Sequence, residues 1–133
     1  MSSKKLSAWV LSAAFVAASA VAAEDSGCGH TIESAPKTVQ ATLKPAYGDP
    51  KLDLKPLALR MSELMSEIGL CQSMAQDPAN DSPNKNHDIA EWLSLNQWMY
   101  RLTSFVDQNS RGDFHMDWKR EFEIFVDVYE LPR

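Results

Sequence analysis

The sequence predicts an all-α fold: a small helical bundle of three main helices, with a short fourth as a candidate, and an N-terminal arm tied to it by one disulfide. Three observations carry this reading. Three stretches repeat apolar residues at spacings of 3 and 4, the period of one helix face. The region before them is broken by prolines and glycines. Only two cysteines are present, Cys28 and Cys71, and they follow a segment built like an export signal. A chain of 133 residues with 44% hydrophobic and 23% charged residues suits a single domain.

Residues 1–23 are expected to be a cleaved secretory signal. Lys4 and Lys5 supply the positive start, Leu6 to Val21 is uncharged and rich in small apolar residues, and Ala20, Val21, Ala22 and Ala23 offer small residues for cleavage. An uncleaved anchor would need a longer and greasier run, since spanning takes about 20 strongly apolar residues. Ser26-Gly27-Cys28 resembles the end of a lipoprotein signal, but Glu24 and Asp25 interrupt the apolar run that such a signal requires. Cleavage before Glu24 removes two lysines and no acid, which takes the formal charge from −5 to −7. That balance excludes nucleic acid as a partner, because phosphates demand a basic face. It also disfavours binding to an anionic membrane after signal cleavage. Residues 24–60 hold five acids and five bases, and residues 61–133 hold 13 acids and six bases. The acidity therefore sits in the second half, where it would attract a basic partner.

In an oxidising compartment an even cysteine pair is normally a disulfide. Cys28 and Cys71 are 43 residues apart. Closing a loop of that size stabilises by about 4 kcal/mol in the chain-entropy model.

The arm, residues 24–55, carries Pro36, Pro45 and Pro50 and three glycines. Within it Ser34 to Leu43 is a candidate short helix, with Ser34 as cap and Val39 and Leu43 four apart. The bundle proper, 56–133, begins with a helix from Pro56 to Met74, on which Leu57, Met61, Leu64, Ile68, Cys71 and Ala75 form one stripe. Gln76 to Asn86 is a loop of turn residues. A second helix runs from His87 to Asp107, capped by Asn86, with Trp92, Leu95, Met99, Leu102 and Val106 on its stripe. After a polar break at Gln108 to Gly112, Asp113 to Leu131 repeats Phe114, Trp118, Phe122, Phe125 and Tyr129 at helical spacing, with Asp113 as cap. Phe122, Ile124, Val126 and Val128 also alternate as in a strand, but the charges at Lys119, Arg120, Glu121 and Glu123 favour a helix. Leu64, Ile68, Leu95, Met99, Leu102 and Phe122 are the expected core.

Little in the chain points to catalysis, and no enzyme is expected. No G-x-S-x-G, S-x-x-K or glycine-rich phosphate loop occurs. Glu121 and Glu123 are two apart and do not converge on a helix. His87 and Glu91 share a helix face as metal ligands would, yet His30, His87 and His115 never cluster. A haem would need axial ligands; no histidine follows His115 and there is no C-x-x-C-H. The methionines, soft ligands for Cu(I), fall partly on core stripes. No cofactor is implied, and a metal- or haem-binding periplasmic bundle is the competing reading. Arg111-Gly112-Asp113 spells a cell-adhesion tripeptide at what looks like a helix break.

The remaining lead is Trp98, Arg101 and Phe105, a second aromatic stripe beside the core stripe with a cation next to it. Aromatics and Arg anchor interfaces. With three helices, one face of the second would stay open, and these residues would bind another protein. The sequence therefore leads to an exported, periplasmic or secreted, protein-binding domain of inhibitor, immunity or accessory type.

Overall fold

Four helices and no strand make up residues 27–133, the part of the chain described by the computed structural model. The signal segment expected at 1–23 lies outside the described residues. The helices are α1 (Ser34–Gly48), α2 (Lys55–Ala75), α3 (Lys85–Ser110) and α4 (Trp118–Val128).

The region expected as an arm holds the first of them. Ala35, Val39, Leu43 and Ala46 fall at spacings of 4, 4 and 3 and are buried, so α1 is a full member of the bundle. It continues past Leu43 to Gly48 although Pro45 lies inside it. Pro45 points outward, while Ala46 and Tyr47 beside it pack inward, Tyr47 with its ring 5.2 Å from that of Phe122. Those contacts outweigh the backbone hydrogen bond that proline cannot donate. Ser34 does not cap α1 but begins it, and Thr31 Oγ1 accepts from the Ser34 amide at 3.0 Å.

α2 and α3 extend a little beyond the expected bounds at both ends and pack antiparallel through their predicted stripes. Met61, Leu64, Ile68, Cys71, Leu95, Met99, Leu102 and Val106 are at most 2% exposed, so the sequence phase of both helices is right. Leu57 is only half-buried. Asn96 of α3 stitches the pair, donating to Gln72 Oε1 at 2.6 Å and to its own Trp92 carbonyl at 3.0 Å. Asn86 is not the cap of α3; the helix begins at Lys85 after Asn84.

The third segment is helical, as its charges indicated, but shorter than expected. Gly112, at φ +94°, adopts the left-handed conformation that ends α3. Residues 113–117 then form a loop, held where Asn109 Nδ2 donates to the Met116 carbonyl and the Asp113 amide to the Gln108 carbonyl. Asp117, not Asp113, caps α4 by accepting from the Arg120 amide at 3.1 Å. Asp113 instead accepts from the His115 amide within the loop. Phe114 therefore leaves the core stripe and stands 77% exposed. At the other end α4 stops at Val128 with Tyr129 as its C-cap, and Glu130 follows at φ 52°.

Trp92, Trp118, Phe122 and Phe125 are buried, and Trp98, Phe105 and Tyr129 pack against this core from its edge. The Cys28–Cys71 disulfide, Cα to Cα 5.0 Å, joins the segment before α1 to α2. No described helix is long and apolar enough to cross a membrane.

Candidate functional site

Trp98, Arg101 and Phe105 lie together on the side of α3 that meets α4. The Trp98 ring meets Phe125 edge to face at 5.8 Å. Arg101 pairs with Glu121, and its guanidinium lies 5.0 Å over the Phe105 ring. Glu121, whose charge was counted in favour of a helix, is buried. This face of α3 is thus partly covered by α4. Trp98 and Phe105 are half-buried, and the Arg101 side chain remains 54% exposed above them. The seam offers solvent the Arg101 guanidinium and part of two rings, with the cation already engaged by Glu121.

A second candidate surface surrounds the disulfide. Gly29, at φ +80°, turns the chain so that His30 faces α2. There His30 Nε2 meets Glu67 Oε1 at 2.8 Å, and Arg60 reaches the other Glu67 oxygen at 3.2 Å. The hydrogen bond from His30 draws the Glu67 carboxyl below its ordinary value of 4.5; partial desolvation opposes this and Arg60 reinforces it. A depressed carboxylate contributes stability that is complete above its unfolded pKa and is lost as pH falls through the folded one. Acid unfolding followed by circular dichroism should therefore lose this contribution below about pH 4.5, and Glu67→Gln should flatten the profile in that window alone. A variant that tracks wild type through acid would show that the pair adds nothing. Beside it lies a cleft of about 480 Å³ lined by Ile32, Met74, Trp92, Asn80, Asp77 and Asp88.

The histidines stay apart. His87 is exposed beside Asp88, His115 lies in the α3–α4 loop and His30 is held by Glu67. Among the described residues no three His, Cys, Asp or Glu side chains converge as metal ligands.

The third surface is an end of the bundle, where the α1–α2 and α3–α4 loops meet in a groove of about 500 Å³. Leu52, Leu54, Phe114 and Met116 supply apolar lining, and Trp118 closes it toward the core. Asp49, Asp53 and Asp117 also line it, against the single cation Lys119, whose ammonium lies 6.0 Å from the Tyr47 ring. None of these three carboxylates takes part in an ion pair recorded among the described residues. Each accepts a backbone amide instead: Asp49 from Lys51, Asp53 from Lys55 and Asp117 from Arg120.

No family model matches the chain, and no curated protein and no solved structure matches it either. The sequence reading missed the groove because it counted Phe114 into a helical stripe. The available signal was Asp113 and Asp117 flanking it after Gly112, a composition that favours turns over helix.

Proposed function

We propose that the protein is an exported protein-binding domain, of inhibitor, immunity or accessory type, that works through an acidic and aromatic surface of its bundle. The observation that carries this reading is Phe114, an aromatic held 77% exposed by a loop whose backbone is pinned to α3. Partner-binding anchors have this character: a large rigid side chain presented at low entropic cost. The half-buried Trp98 and Phe105, with Arg101 above them, form a second aromatic surface along the α3–α4 seam. A disulfide and an acidic chain behind a signal-like segment fit export to the periplasm or beyond.

The test is affinity capture by the oxidised mature chain from the envelope fraction of its own cells, at low and high salt. A saturable partner that dissociates more readily at high salt is expected. Trp98→Ala and Phe114→Ser then locate the contact, each judged beside its unfolding curve, because Trp98 also packs on Phe125. Absence of any saturable partner overturns the reading.

A further inference from the structure

We propose that the groove between the α1–α2 and α3–α4 loops binds a partner segment that carries one bulky apolar side chain flanked by Lys or Arg. The inference rests on the protein-binding reading and names the partner's chemistry. The floor is apolar and its edge is Phe114, 77% exposed, with Leu52 at 44% in the facing loop. A volume near 500 Å³ admits a Leu-, Met- or Phe-sized side chain with part of its backbone. Such a side chain would cover apolar surface that now faces water.

The rim chooses among apolar segments. Three carboxylates line the groove against one ammonium, and no ion pair among the described residues neutralises them. Their backbone hydrogen bonds fix them where they are, so their charges are preorganised and cost little to align. Flanking bases on the occupant complement that field, whereas flanking acids meet like charge. A second copy of this chain is a poor occupant for the same reason, since it brings the same acidic rim and a net charge of −5 even before signal cleavage.

Asp→Asn tests the charge without losing the turns, because an Asn side-chain oxygen still accepts the backbone amide. The probes are two synthetic peptides with blocked ends, Lys-Lys-Phe-Lys-Lys and Glu-Glu-Phe-Glu-Glu, titrated into the ¹⁵N-labelled oxidised chain. Amide shifts confined to the two loops are expected with the lysine peptide, with affinity about fivefold or more above that of the glutamate peptide at low salt. The double variant Asp53→Asn/Asp117→Asn should weaken the lysine peptide about fivefold while its unfolding midpoint stays near wild type. Phe114→Ser should weaken both peptides, since it removes the shared apolar contact. Equal binding of the two peptides, shifts centred elsewhere, or no shifts at all would overturn the proposal. So would concentration-dependent self-association of wild type that Phe114→Ser abolishes, which would make a second copy the occupant. If the envelope partner is still captured by Phe114→Ser, this groove assignment fails while the protein-binding reading stands. If no envelope partner exists but the lysine peptide seats in the groove, the functional reading fails and the groove chemistry survives.

Discussion

Phe125→Ala is expected to destabilise the protein by about 3–5 kcal/mol, one of the two largest effects of a single substitution considered for this bundle. Phe125 is fully buried, and its ring touches two others, Trp98 of α3 at 5.8 Å and Tyr129 at 4.9 Å. Removing it leaves a cavity between α3 and α4 that two large aromatic neighbours cannot readily refill. In a domain of this size each kcal/mol shifts the melting temperature by roughly 4 °C, so the change is easily read by calorimetry or circular dichroism. The informative control is Ile124→Ala on the same helix, at 37% exposure, which should cost well under half as much. A strand would put residues 122, 124, 126 and 128 on one face and make Ile124 and Val128 as costly as Phe122. A cost for Ile124→Ala equal to that of Phe125→Ala would refute the helical phase of α4.

That comparison shows what kind of information the sequence held. The strand alternation and the helical stripe both ran through Phe122, and hydrophobicity alone could not separate them. Charge separated them in part: of the four charges counted for a helix, Lys119, Arg120 and Glu123 take positions that a helix can turn outward, whereas Glu121 is buried, and the structure leaves Val128 and Ile124 outward. α2 and α3 were legible because long stripes average over local exceptions, and every residue named for the core is buried. Ends were less legible. Caps at Ser34, Asn86 and Asp113 were chosen because those residue types suit caps, yet neighbouring residues took the position at each end. Before α3 and α4 several Ser, Asn and Asp residues compete for the position, and at α1 the helix begins one residue earlier, after Glu33. α1 was understated for a related reason. Pro45 argued locally for a break, while the contact between Tyr47 and Phe122, distant in sequence, decided that the helix continues.

The candidate sites divide the same way. A stripe containing Trp98, Arg101 and Phe105 was visible, but the buried carboxylate that occupies Arg101 came from another helix. Glu121 is separated from it by 20 residues, and its charge had served only to favour a helix over a strand. The end groove needs two loops brought together by the packing of four helices, and no local pattern encodes that meeting. What was local was the turn chemistry around Phe114, and it outweighed the spacing that had placed this ring in the core.

Breaking the disulfide is the second large effect expected. Cys28→Ala should cost about 3–4 kcal/mol, from restored chain entropy in the unfolded state. Cys71→Ala should cost about 1 kcal/mol more, because Cys71 is 2% exposed and its side chain fills core space that Ala does not. Against a total stability of roughly 5–15 kcal/mol, either change leaves a marginal domain. The bridge closes 43 residues that include all of α1, the helix a proline already weakens. It does not act alone. Glu67 precedes Cys71 by one helical turn, so Cys28 and His30, two residues apart, meet α2 at successive turns of one face. With the bridge intact His30 is held near Glu67 and their bond forms at little entropic cost; with the bridge cut the same bond must order the whole segment. The two ties should therefore be coupled. In a double-mutant cycle Glu67→Gln should cost less in the Cys28→Ala background than in wild type, by about 0.5–1 kcal/mol. Urea unfolding of the four proteins measures this directly. Strict additivity would mean that the ties are independent, and thiol labelling of both cysteines in the native unreduced protein would remove the basis of the prediction.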